Sequence, residues 1–185
     1  MTRLPAVLLL LACTAAGAAD WRMVPEQSKL AFRGVASGEA FDGVFHRYSP
    51  RVAFDAARPE TISIDVAIDL ASVDTRNAER DETLATEEFF ALAGNAQARF
   101  QAGDCKLAQP PNGYRCAARL TLKGHTKSFE FPFTWVDGPD GSAALDSTVT
   151  LNRLDYAVGT GDWADAGTIA HAVDVDVHLV LKPGA

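Results

Sequence analysis

From Thr61 to Leu70 the chain alternates almost without a lapse: Ile62, Ile64, Val66, Ile68 and Leu70 share one parity, and Thr61, Ser63, Asp65 and Asp69 the other. Successive side chains of a strand point to opposite faces, so this stretch reads as a β-strand with one apolar and one wet side. The same period returns along most of the chain. Ser28 to Ala36 sets Leu30 and Phe32 against Lys29 and Arg33. Gly43 to Phe54 reads as one bent strand or two short ones, because Ser49-Pro50 interrupts it and proline tolerates only edge or bulge positions in a sheet. Ala98 to Ala108 and Gly113 to Lys123 form a hairpin across the turn signal Pro110-Pro-Asn-Gly113, and Tyr114, Cys116, Ala118, Leu120 and Leu122 fall on one face. Ser128 to Val136, Ala143 to Asn152 and Ala172 to Lys182 complete the series. About eight strands, each apolar on one side only, predict an all-β chain closed into an antiparallel barrel. Such a barrel is either filled by its own side chains or holds one small apolar ligand, and alternation does not distinguish the two.

One segment breaks the pattern. Within Ser72 to Phe100, residues Arg76 to Ala85 lack Gly and Pro and are rich in Glu, Arg, Ala and Leu, with Thr75 placed to cap them. This predicts a short helix. With period two on either side, the helix reads as a lid laid over the barrel, and Leu84, Phe89, Phe90 and Leu92 give it something to bury.

At the amino end, Arg3 precedes the apolar run Pro5 to Ala12 and the small residues Ala15 to Ala19. That order of basic, apolar and small residues predicts a secretory signal, residues 1–19, ahead of a single domain, 20–185. The apolar run falls short of the roughly 20 residues a membrane span needs. Leu10-Leu-Ala-Cys13 also admits a lipoprotein reading, in which Cys13 carries the lipid. Removal of residues 1–19 takes away Arg3 alone among the charged groups, moving the formal charge from -7 to -8. An acidic chain without a basic cluster is a poor partner for nucleic acid. Roughly 165 residues then suit one domain with its own core. Export also leaves two cysteines, Cys105 and Cys116, astride the expected hairpin. In an oxidising compartment such a pair predicts a disulfide, with a bulge to bring Cys105 onto the parity of Phe100.

Catalytic signatures are sparse. His46, His125, His171 and His178 are scattered, without zinc-ligand spacing, and no G-x-S-x-G elbow occurs. Gly159-Thr-Gly161-Asp162 reads as a turn, and Glu87-Glu88, Asp174 and Asp176 as solvated faces. These features predict a protein that is not an enzyme and binds no metal. Arg153 stands apart because it continues the inward parity of Leu145, Val149 and Leu151. A buried guanidinium needs partners. Two readings stay open: an ion pair with Asp81 or Asp155 that fixes the lid, or a contact with a ligand head group such as a diphosphate or carbonyl.

The order of several short motifs resembles the YceI family. They are Ser28 and Phe32; Gly43 and Phe45; Ser72-Val73 and Thr75; Arg80-Asp81, Leu84, Phe89-Phe90 and Phe100; Leu120 to Gly124 with Thr126-Lys127; Arg153 with Asp155-Tyr156; and Val173, Val175 and Leu179. The resemblance runs from Trp21 to the end. It implies a lipocalin-like barrel, periplasmic or secreted, that binds a polyisoprenoid, isoprenoid quinone or other long-chain amphiphile without catalysis or a fixed cofactor. The ligand is then expected against Phe32, Ile64, Val66, Ile68, Leu84, Phe89, Phe90, Phe100, Leu120, Leu122, Phe131, Phe133, Arg153 and Tyr156. A membrane cytochrome is a partner that family neighbours suggest, and a dimer is an open possibility. A rival reading is an envelope stress or interaction module whose filled barrel binds a protein. This chain has Ala96 where the family usually has Pro, and Ala118 and Ala157 where it usually has Gly. The two added methyls are expected to narrow the cavity or shift a bulge.

Overall fold

The computed structural model describes residues 19–184, so the expected signal segment lies outside it except for Ala19. The strands are β1 (Ala19–Met23), β2 (Lys29–Ala36), β3 (Glu39–Phe45), β4 (Tyr48–Phe54), β5 (Ser63–Asp69), β6 (Val73–Asp74), β7 (Gln97–Gln109), β8 (Gly113–Leu122), β9 (His125–Asp137), β10 (Ala143–Asn152) and β11 (Ala172–Pro183). Eight of them close a ring in the order β1-β4-β5-β7-β8-β9-β10-β11 and back to β1, with every pairing antiparallel. Closure removes the sheet edges that an open stack of these strands would expose. The other three extend the wall at one end: β2 runs on from β1 along β11, β3 pairs with β2, and β6 pairs with β3.

The two strand prolines fall where the wall is incomplete. Pro50 lies in β4 beyond Val52, where the pairing with β1 stops. Pro132 lies where β9 parts from β10: their register runs only from Ala143 opposite Asp137 to Asp146 opposite Thr134. Past that point the Ser147 hydroxyl donates to the Pro132 carbonyl at 2.6 Å. With the ladder ended and no N–H on Pro132 to continue it, a side-chain hydroxyl takes the place of a β10 backbone donor to this carbonyl.

The sequence reading needs three corrections here. Strand β1 and the first half of β3 were not expected. The stretch from Gly43 to Phe54 is two strands, one of the two forms expected, but they part at His46 and Arg47 and not at Ser49-Pro50. The helix, α1 (Ala78–Ala85), starts later than Arg76 and is capped by Asn77, whose side chain accepts from the Arg80 amide at 3.0 Å. Arg76 has φ 57, a left-handed turn that no helix continues through. Thr75 is buried, and its amide and hydroxyl both donate to Asp81, at 3.0 and 2.7 Å, which pins the helix to the wall.

Cys105 and Cys116 are bonded across β7 and β8, both buried. The pairing shifts between Gly103 and Lys106, with Asp104 at φ 51. This one-residue bulge turns Cys105 inward after Ala98 and Ala102. A cross-link closing so short a loop contributes on the order of 2 to 4 kcal/mol.

Candidate functional site

The barrel is packed at one end and hollow at the other. At the packed end Trp21, Phe54, Tyr114, Phe133 and Trp135 form one aromatic cluster. Ring centroids lie 4.9 Å apart for Trp21–Trp135, 4.5 Å for Phe54–Trp135 and 5.2 Å for the stacked Tyr114–Phe133 pair. The Trp21 indole N–H donates to the Phe54 carbonyl at 3.1 Å, so its polar edge is satisfied inside the cluster. None of these five residues reaches the hollow end.

Above them lies a cavity of about 480 Å³, within the roughly 300–1,000 Å³ range of small-molecule sites. Its floor and walls are apolar: Ile64, Val66, Ile68, Leu120, Phe131, Leu145, Val175 and Leu179 are among them. The polar residues Ser37, Asn77, Glu79, Arg80, Thr83 and Thr168 come from the β2–β3 turn, α1 and the loop before β11. They gather at the mouth. Among the described residues the lining holds no His, Cys or Asp, and no group of three metal-ligating side chains occurs anywhere. Burial pushes the phenols of Tyr48 and Tyr156 up from their ordinary value, so both face the cavity neutral.

Thirteen of the fourteen residues expected to contact ligand line this cavity. Phe133 does not: it shares the parity of Phe131 but sits one step nearer the packed end. Residues that the sequence reading missed include Phe41, Phe45, Tyr48, Val158, Trp163 and Ile169. On β2 and β3 the rings of Phe32 and Phe41 lie over the glycines opposite them, Gly43 and Gly34. A Cβ on either glycine would stand 2.3 or 2.7 Å from a ring carbon, so the bare backbone is what lets these rings lie against the wall.

Arg153 corrects both readings of its role. It is 5% exposed and pairs with neither Asp81 nor Asp155. Its Nε donates to Ala170 O at 3.1 Å, one terminal nitrogen to Val158 O at 2.9 Å and Gly159 O at 2.5 Å, and the other to Trp163 O at 2.6 Å and Ile169 O at 2.8 Å. A guanidinium has five N–H donors. All five are taken by carbonyls of the loop that borders the cavity, so none remains for a head group. Burial without a carboxylate pushes the guanidinium pKa down from its ordinary value, and the carbonyl dipoles hold the charge.

The lid is clasped at its far end. Lys123 donates to the carbonyls of Glu87, at 2.5 Å, and Ala157, at 2.9 Å, and the Gly159 amide donates to Glu88 O at 2.7 Å. Phe89 and Phe90 are thereby held buried against the cavity. Neither Ala118 nor Ala157 lines it, so the two methyls do not narrow it. Ala157 instead adopts φ 52. A left-handed residue with a Cβ costs about 1 kcal/mol. Ala157→Gly is expected to stabilise the protein by about that amount and to raise Tm by about 2–4 °C. A thermal melt checks it.

The four histidines stay apart. His46 and His178 sit on the outer surface within 3.1 and 2.6 Å of Asp74 and Asp146, and His171 contacts the Ala164 carbonyl at 2.9 Å. His125 opens β9.

A closed antiparallel barrel with an apolar interior cavity and a polar mouth defines a class: lipocalin-like barrels suited to one hydrophobic ligand. Within that class the chain belongs to the YceI-like family, whose domain profile matches residues 21–181. It is 31% identical over 146 residues to a UPF0312 protein of Pseudomonas fluorescens, covering 72% of this chain and 70% of that one. It is 38% identical to a UPF0312 protein of Serratia proteamaculans over 85 residues, a match spanning 46% of this chain and 43% of that relative. Among solved structures it superposes on Burkholderia cenocepacia BcnA with TM-score 0.81 and 26% identity, covering 85% of this chain and 98% of that one. A polyisoprenoid binding domain from Saccharophagus degradans superposes with TM-score 0.68 at 17% identity, covering 90% of this chain and 99% of that domain, a likeness of fold.

Proposed function

We propose that this chain is a non-enzymatic carrier of one long-chain amphiphile, a polyisoprenoid, isoprenoid quinone or comparable lipid, acting in the cell envelope after export. The observation that carries the reading is the cavity of about 480 Å³ whose walls are mostly apolar and whose exposed polar residues gather at the mouth. A tail in such a space is shielded from water at about 0.8 kcal/mol per methylene, so a long chain binds with few polar contacts. The filled-barrel alternative loses ground because only one end of the barrel is packed. The description of the Saccharophagus degradans domain as polyisoprenoid-binding agrees with the ligand class.

The test is native mass spectrometry of protein purified from its own envelope fraction, followed by solvent extraction. The expected result is one lipid per chain, released by denaturation. Ligand-free protein that also fails to take up a polyprenyl or quinone analogue would overturn the reading.

A further inference from the structure

With every donor of Arg153 committed to backbone, the polar mouth retains, among the described residues, one cation, Arg80 on α1. Its guanidinium lies 4.2 Å from the centroid of the Phe41 ring, and among the described residues its side chain makes no hydrogen bond or ion pair. The Phe41 ring is seated on Gly34, where a Cβ would come within 2.7 Å of it, so the platform beneath the guanidinium is fixed. Stacking occupies the face of a guanidinium and leaves its in-plane N–H edge free.

We propose that Arg80 is the head-group residue of this cavity, and that the ligand carries an oxyanion head, a carboxylate or a phosphate. The head docks on the free edge of Arg80 while the chain runs down toward Ile64 and Leu179. This rests on the carrier reading and names the chemistry at its mouth. The match is one of geometry as well as charge, since two parallel N–H groups suit two oxygens of one anion. Asn77, Ser37, Thr83 and Thr168 add neutral polar groups around the head, and Glu79 is the one carboxylate among the lining residues. Glu79 opposes a second negative charge, so it favours a singly charged head over a doubly charged one.

The experiment is displacement of a fluorescent naphthylamine dye by three probes of equal chain length: hexadecanoate, hexadecyl phosphate and hexadecanol. Wild type is expected to bind the anions about tenfold more tightly than the alcohol, the effect of one charge-assisted contact at a partly exposed rim. Arg80→Gln should remove that preference and leave hexadecanol unchanged, and Arg80→Lys should restore only part of it. The anion with the larger loss identifies the head as carboxylate or phosphate. Equal weakening of all three probes in Arg80→Gln would make Arg80 a positioning residue for the lid and overturn the proposal, as would no anion preference in wild type. Failure of every probe to displace dye from wild type, or of the dye to bind, overturns the carrier reading itself.

Discussion

Arg153→Ala is expected to cost on the order of 3 to 5 kcal/mol and to lower Tm by about 10 °C or more, without ligand present. The carbonyls of Val158, Gly159, Trp163, Ile169 and Ala170 converge on this one side chain and, among the described residues, accept from no other donor. Its loss leaves several of them buried and unpaired, at about 1–3 kcal/mol for each that water fails to reach. Arg153→Lys keeps the charge but offers a single nitrogen in place of a planar fork, and should recover less than half of the loss. Equilibrium unfolding in urea measures both variants. A fall below about 1 kcal/mol for the alanine variant would mean that water substitutes for the guanidinium, and that the loop from Val158 to Ala170 is held by other contacts.

Val175→Trp should weaken lipid binding strongly while leaving the barrel folded. Val175 lies on β11 between Phe32 of β2 and Val149 of β10, and its side chain faces the hollow end. An indole there occupies the space of about four methylenes, which at about 0.8 kcal/mol each predicts an affinity loss on the order of a hundredfold. Filling an empty space seldom destabilises, so Tm is expected to hold or rise. Val136→Trp, on the exterior near the packed end, provides the control: that valine is 48% exposed and outside the cavity lining. Dye displacement by a polyprenyl or quinone analogue is the readout. Binding by Val175→Trp at wild-type affinity would place the ligand outside the barrel.

The barrel was legible because period two is a backbone property: an alternation such as Ile62 to Leu70 can bury its apolar side in few other ways. Depth was not legible. Phe131 and Phe133 have the same parity and similar burial, yet one faces the cavity and the other the aromatic plug, because alternation assigns a face and carries no coordinate along the barrel axis. Arg153 was read correctly as inward, but neither of its two readings, a carboxylate pair or a head-group contact, named the partners it has. Its partners are carbonyls, which every residue possesses and no sequence pattern marks. The helix cap was displaced from Thr75 to Asn77 for a related reason: both are competent caps, and the choice turns on the left-handed Arg76 between them. Strand β1 is five residues of mixed polarity, legible only through its neighbours β4 and β11.

The plug of Trp21, Phe54, Tyr114, Phe133 and Trp135 also bears on how such a protein changes over time. Foldability resides in one half of the barrel, with its aromatic cluster and its disulfide between Cys105 and Cys116, and ligand capacity in the other. A side chain that lines an empty space has few neighbours to lose, so substitutions at Val149, Leu151, Val173 or Val175 are buffered against the packing penalties that govern Phe54 or Trp135. Selection can therefore retune the length and girth of the cargo by drift in one half while the other keeps the chain above its stability threshold.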